Sequence, residues 1–112
     1  MLARANRVTR PADFRAAVRR GRRNGTRSLV VHVIDTSAVD PVRFGFIVTK
    51  AVGNAVTRNR VRRRLREASR DILPTLPDGH DVVVRALPGS GQVPWASLHA
   101  DLTESVGRAV KG

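Results

Sequence analysis

The chain has 112 residues, a length suited to one domain, and 41% of them are hydrophobic while 4% are aromatic, so its core must be mostly aliphatic. The formal net charge of +12 and the pI near 12.0 exceed what solubility needs and indicate a polyanionic partner, by default a nucleic acid. The lack of cysteine excludes disulfides and thiolate metal sites. No apolar run approaches the roughly 18 residues that span a bilayer, so we expect no membrane partner.

Arginine supplies all of the 21 basic residues except Lys50 and Lys111. A guanidinium group presents fixed donors that bind phosphate bidentately, and it also stacks on bases, so this preference suits a nucleic-acid partner. A GC-rich genome is an alternative cause of the ratio, but it does not explain the clustering of arginines over residues 58–66.

The N-terminal segment carries several arginines but lacks the apolar stretch of a secretory signal. We therefore expect the protein to stay in the cytoplasm, where it is made. An arginine-rich mitochondrial transit peptide is the alternative interpretation of these residues.

The first half of the chain predicts one helix and two strands. Apolar residues recur at helical spacing from Pro11 until Gly21 ends the helix, and a polar loop follows over 22–27. Alternation of β-branched and aromatic residues predicts strands over 28–35 and 43–50. Because a turn separates these two strands, we expect them to pair as an antiparallel hairpin.

A strongly basic helix is predicted next, with Asn54 as its N-cap and an end before Pro74. Its apolar stripe recurs from Val61 to Ile72, and only this stripe can face a core. The arginines lie beside the stripe or opposite to it: Arg58, Arg62 and Arg66 on one flank, Arg60 and Arg64 on the other, Arg63 and Arg70 pointing away. A solvated helix normally mixes charges of both signs. The repulsion among these arginines therefore indicates a negatively charged partner, and the alternative interpretation is a basic face that is simply solvated.

The last part predicts a buried strand over 80–87, a Gly-containing loop over 88–94 and an amphipathic helix from Trp95. The element order is therefore α-β-β-α-β-α, an α+β fold in a single domain.

No catalytic constellation is apparent in the sequence. The three aspartates Asp71, Asp78 and Asp81 are the one acidic cluster, and we expect Asp78 and Asp81 to restrain a turn instead of holding a metal. His80 lies beside Asp81 and His99 lies near Asp101, but neither pair comes with a nucleophile.

Two kinds of aromatic position bear on RNA contact. His32 lies among apolar strand residues, which suits a satisfied sheet histidine or one that stacks on a base better than a general base. Phe14 is the one position at which we expect base stacking, whereas Phe44 and Phe46 share a strand face and suit the core. A second basic cluster on the first helix and the following loop would either flank the same groove as the basic helix or contact a separate stretch of RNA; it is formed by Arg15, Arg19, Arg20, Arg22 and Arg23.

The segment from Phe46 to Glu67, which reads FIVTKAVGNAVTRNRVRRRLRE, resembles the signature of the bacterial ribonuclease P protein subunit. The stretch from Arg7 to Phe14 resembles the opening of that family, and Asp81 to Arg85 resembles its last strand. The resemblance implies a small basic subunit that assembles with a catalytic RNA, contacts the single-stranded 5′ leader of precursor tRNA and helps the RNA to bind substrate and magnesium. The RNA then performs the hydrolysis, so the protein needs no catalytic residue, no cofactor of its own and no obligate protein partner.

The resemblance also implies which residues meet RNA. Contacts to the catalytic RNA would come from the Arg-Asn-Arg core and its surroundings, namely Lys50, Asn54, Arg58, Asn59, Arg60, Arg62, Arg63 and Arg66. Contacts to the leader would come from Phe14, Arg15 and His32. Relatives often carry a second aromatic where this chain has Val18 and Tyr where it has His32, so leader contact is expected to be weaker or more electrostatic.

The fold implied by the resemblance is a ribosomal-protein-like α/β sandwich with a mixed sheet. A left-handed crossover joins its parallel strands around the arginine-rich helix, against the usual right-handed rule.

Three alternatives remain at this stage. A ribosomal or other structural RNA-binding protein fits the charge and size equally well, and only the long signature argues against it. A DNA-binding protein would normally offer a short recognition helix with amide or hydroxyl contacts. A protein-only nuclease would need acidic metal ligands.

Overall fold

The computed structural model describes residues 2–111 and contains a four-stranded sheet with three helices. The helices are α1 (Pro11–Arg20), α2 (Ala55–Ile72) and α3 (Trp95–Lys111). The strands are β1 (Arg22–Gly25), β2 (Leu29–Asp35), β3 (Arg43–Ile47) and β4 (His80–Ala86), in the sheet order β1-β2-β4-β3. The α+β class is confirmed.

Strand β1 corrects the prediction of a loop over 22–27. It pairs antiparallel with β2, with Arg23 opposite His32. Its sequence, Arg-Arg-Asn-Gly, has no apolar alternation, because an edge strand that is half exposed is held by backbone hydrogen bonds and needs little apolar side-chain burial.

The predicted hairpin of β2 with β3 is wrong. Strand β4 lies between them, antiparallel to β2 and parallel to β3. Its Val82, Val83 and Val84 are all fully buried, and a strand that is apolar on both faces belongs in the centre of a sheet. Helix α2 is therefore the crossover between the parallel strands β3 and β4.

The two faces of the sheet are covered unequally. The main core lies between one face and helices α2 and α3, and it contains Leu29, Phe44, Leu65 and Leu102. Helix α1 packs on the opposite face, where it buries Ala17. Part of that second face stays accessible beside α1.

Helix α2 has the boundaries that its sequence predicts. The Asn54 side chain accepts a hydrogen bond of 2.9 Å from the Thr57 backbone N–H, which satisfies one of the free donors at the helix start. The predicted stripe is buried, with Val61 and Leu65 fully inaccessible. The arginines consequently lie outside the core. Within residues 2–111, none of the helices is both long and apolar enough to cross a membrane.

Candidate nucleic-acid interface

Helix α2 carries seven arginines and two acidic residues. Among residues 2–111, none of these arginines forms an ion pair with a carboxylate. Repulsion between the guanidinium groups is therefore not offset within the described chain, and the helix surface carries a strong positive potential that attracts polyanions.

Some of these arginines bind backbone carbonyl groups of neighbouring elements. Arg60 Nη2 donates to the Gly91 carbonyl at 3.2 Å, and Arg64 Nη1 donates to the Val93 carbonyl at 3.3 Å. On the other flank, Arg62 donates to the Val48 carbonyl and to Asn59 Oδ1, both at 3.2 Å. The acceptors are neutral oxygen atoms. They fix the positions of these arginine side chains without neutralising the positive charge of the surface.

The remaining arginines of α2 are available to a partner. Arg63, Arg66 and Arg70 are exposed, and Arg58 is half-buried with an Nε that has no hydrogen-bond partner in the described residues. Together with Arg60, Arg62 and Arg64 they form what we call the arginine surface. An unpartnered buried donor costs free energy until an acceptor reaches it, so Arg58 is suited to a phosphate oxygen.

The predicted contacts at Lys50, Asn54 and Asn59 lie next to this surface, and all three side chains are exposed. The carbonyl oxygens of both Asn side chains are already engaged, by the Thr57 N–H and by Arg62. Their amide N–H groups remain available, since both engaged atoms are oxygens.

A second surface lies on the other face of the sheet, along α1. The Phe14 ring lies directly over Gly45, where an added Cβ would come within 2.6 Å of it. Val18 lines two adjoining cavities, one of about 200 Å³ with Phe14 and Arg15 and one of about 460 Å³ with His32. We call this continuous groove the α1 groove, and it brings together the three residues predicted to contact the leader.

The α1 groove has positive walls and a neutral floor. His32 is 7% exposed and its Nδ1 has no partner in the described residues. Burial lowers the pKa of His32, and the charges of Arg23 and Arg85 lower it further. His32 is therefore a neutral ring at neutral pH, and the positive charge of the groove comes from its arginines, namely Arg15, Arg19, Arg23 and Arg85.

The carboxylates have structural roles. Asp81 is buried and accepts two hydrogen bonds from Arg43, at 2.9 and 2.6 Å, and Asp13 on α1 accepts a third at 3.3 Å. The hydrogen bonds with Asp81 raise the pKa of Arg43 above its ordinary value. This bidentate pair ties β3, β4 and α1 together, which replaces the predicted turn restraint by Asp81.

The histidine partners also differ from the expected ones. His80 Nδ1 lies 3.1 Å from Asp35, and His99 Nε2 lies 3.1 Å from Asp71. Asp101 instead accepts from the Ser28 hydroxyl at 2.7 Å. No cluster of three or more potential metal ligands occurs within residues 2–111.

Sequence reasoning missed Gly45, Arg23 and Arg85 as parts of the groove. Arg23 was assigned to the basic cluster of a loop, and its register opposite His32 depends on strand β1. Arg85 lies on β4, opposite Val30 of β2. Only the alternation of side chains along β4 could have predicted that Arg85 lies on the sheet face covered by α1.

The mixed sheet, together with an arginine surface that has no acidic partner in residues 2–111, defines a small basic nucleic-acid-binding protein. The sequence profile of the family described as Ribonuclease P matches residues 2–110. The ribonuclease P protein component of Clavibacter michiganensis subsp. michiganensis is 50% identical over 111 residues, covering 99% of this chain and 98% of that protein. That of Streptomyces avermitilis is 49% identical over 121 residues, covering 100% and 98%. The chain belongs to the ribonuclease P protein family, as its signature predicted.

Solved structures agree on the fold. The RNase P protein of Staphylococcus aureus superposes with a TM-score of 0.84 at 26% identity, covering 93% of this chain and 94% of that one. The RNase P protein of Thermotoga maritima has a TM-score of 0.78 at 23% identity, covering 95% and 96%. The latter likeness concerns the fold alone.

Proposed function

We propose that this chain is the protein subunit of ribonuclease P, which assembles with the catalytic RNA and assists removal of the 5′ leader from precursor tRNA. The observation that carries this proposal is the arginine surface, which has no carboxylate partner in residues 2–111. Folded RNA supplies the phosphates that such a surface needs. A cytoplasmic location follows from this partner, because bacterial RNA is made there.

The proposal assigns the two surfaces to two different RNAs. The arginine surface, with Lys50, Asn54 and Asn59, would bind the catalytic RNA. The α1 groove would bind the unpaired leader, because the half-buried ring of Phe14 offers a stacking surface and the neutral ring of His32 lines the floor. Arg15, Arg23 and Arg85 would attract the backbone. The two surfaces lie on opposite faces of the sheet, so both RNAs can be bound at once.

In this proposal the RNA carries the chemistry and the magnesium. Three of the aspartates are engaged within the fold: Asp81 by Arg43, Asp71 by His99 and Asp101 by Ser28. The protein would lower the repulsion between the phosphates of the catalytic RNA and those of the substrate, and so raise substrate affinity. This effect would matter most when too little magnesium is present to screen the phosphates.

Binding assays with charge-reversed variants test the assignment of the arginine surface. The double variant Arg63→Glu with Arg66→Glu should weaken binding to the catalytic RNA at least about 100-fold, because it removes two exposed contacts and adds repulsion. The double variant Arg108→Glu with Lys111→Glu is the control matched in charge change, since both residues lie exposed on α3 and Arg108 already pairs with Glu104. Equal losses for the two variants would show that total charge, and not the surface on α2, determines binding.

The α1 groove is tested with Phe14→Ala and two substrates. Loss of a stacking partner, worth about 1–3 kcal/mol per base, should weaken holoenzyme binding of precursor tRNA and leave binding of mature tRNA unchanged. An equal loss for both tRNAs would show that Phe14 supports the fold or the catalytic RNA, and would exclude the groove as the leader site.

A further inference from the structure

Trp95 is a large aromatic side chain that stays accessible, with 37% of its surface exposed. It is the one Trp of the chain, and it opens helix α3. Large apolar side chains on a protein surface mark contact sites when their surroundings supply further contacts. The residues around Trp95 therefore indicate which kind of partner it contacts.

The indole is held in place from one side. The rings of Trp95 and His99 make an edge contact, with centroids 5.5 Å apart and planes at 68°. His99 is itself fixed by Asp71 of α2, whose Oδ2 lies 3.1 Å from His99 Nε2. This edge contact leaves the indole only partly covered, because 37% of the Trp95 side chain stays exposed, and the exposed part is accessible to a flat partner.

The same contacts place Trp95 beside the arginine surface. Arg64 Nη1 donates to the carbonyl of Val93, which precedes Trp95 by two residues, and two residues span at most about 7 Å. Arg60 binds Gly91 in the same loop. Phosphates that meet these arginines would therefore bring their own bases within reach of the indole.

We propose that Trp95 is a stacking site for an unpaired base of the RNA that binds the arginine surface. The inference rests on the proposed function, because the same RNA must occupy both sites. Nucleic acid fits better than a protein partner, because the adjoining arginine surface is cationic and one exposed indole is far smaller than the apolar patch of a stable protein interface.

Intrinsic fluorescence tests this directly, because the chain has one Trp and no Tyr. Titrating the native protein with the cognate catalytic RNA should quench the Trp95 emission and shield the indole from acrylamide. In parallel, Trp95→Ala should weaken RNA binding about 5-fold or more, the loss expected for one stacked base. Trp95→Phe should keep most of the affinity, and Trp95→Leu should lose it, since only Phe retains a stacking ring.

Val39→Ala is the control, because Val39 is 85% exposed and lies in the loop between β2 and β3; it should not change RNA affinity. If Trp95→Ala fails to fold, the titration of the native protein decides alone. Catalytic RNA that binds the native chain in a filter assay without quenching Trp95 overturns the stacking site and leaves the proposed function standing. Failure of the native chain to bind the RNA at all overturns the proposed function itself.

Discussion

At the scale of single residues, the α1 groove depends on a close approach that only glycine permits. The Phe14 ring occupies the space above Gly45, and a Cβ there would lie 2.6 Å and 2.8 Å from two ring carbons. Any side chain at position 45 must therefore displace either the ring or helix α1.

Substituting Gly45 by Ala should destabilise the fold by about 1–3 kcal/mol, the usual effect of overpacking. Gly107→Ala is the matched control, because a Cβ at Gly107 meets nothing within 4 Å and Ala favours a helix interior. Thermal unfolding of the two variants distinguishes them. Equal melting temperatures for Gly45→Ala and the native protein would contradict the packing of Phe14 described above.

His32 should make stability depend on pH in a defined window. Its pKa in the folded state is lowered from the ordinary value of 6.5, chiefly by burial. The unfolded chain therefore binds a proton that the folded chain resists, so stability falls as pH drops below about 6.5 and levels off below the folded-state pKa. His32→Phe removes this contribution. Urea unfolding between pH 5 and pH 7.5 should give a flatter curve for the variant, and parallel curves would refute the neutral buried ring.

At the scale of elements, helix α2 combines two sets of arginines with different roles. Arg60 and Arg64 hold the loop before α3, whereas Arg63 and Arg66 are exposed and form no ion pair within residues 2–111. Helical spacing in the sequence distinguishes the arginines that flank the apolar stripe of α2 from those on its outer face. It cannot show which backbone carbonyl groups the flanking arginines reach.

Variants of these arginines should therefore differ in stability. Arg60→Ala removes one hydrogen bond of a charged donor and is expected to cost about 1–2 kcal/mol, while Arg63→Ala should change the free energy of unfolding by less than about 0.5 kcal/mol. Leu65→Ala, which opens a cavity in the core, should cost about 2–5 kcal/mol. Melting curves of the three variants provide the measurement, and an unchanged curve for Arg60→Ala would show that the contact to Gly91 contributes nothing.

The elements also show what could be predicted from sequence. Helix α2 was predicted correctly because its apolar stripe, its Asn54 cap and the following Pro74 all agree. Strand β1 was missed because its pairing uses backbone groups and leaves no side-chain pattern. The order of β3 and β4 was not predictable from local signals, since a strand enters the sheet centre through contacts distant in the chain.

At the scale of the whole molecule, the sheet separates the arginine surface on one side from the α1 groove on the other. Family membership was predictable because the signature over 46–67 is long. The division of arginines between binding and structure was not predictable, because it depends on where the loop before α3 and the end of β3 lie in space.

The salt dependence of RNA binding reports how many phosphates the protein neutralises. Each neutralised phosphate adds about −0.7 to the slope of log affinity against log salt for single strands, and about −0.9 for duplex DNA. The double variant Arg63→Gln with Arg66→Gln should reduce the magnitude of the slope by about one per arginine. Arg108→Gln should leave the slope nearly unchanged, and a slope that does not respond to either variant would contradict the arginine surface as the RNA contact.

The most direct test of the central claim is cleavage of precursor tRNA at a magnesium concentration too low for the catalytic RNA alone. Adding the native chain to its cognate catalytic RNA is predicted to restore cleavage at the 5′ end of the mature tRNA, whereas the chain without RNA is predicted to cleave nothing. The double variant Arg63→Glu with Arg66→Glu should fail to restore activity although it folds. Cleavage by the RNA-free chain that disappears on substitution of a single aspartate, or no stimulation of the RNA by the native chain, would contradict this account.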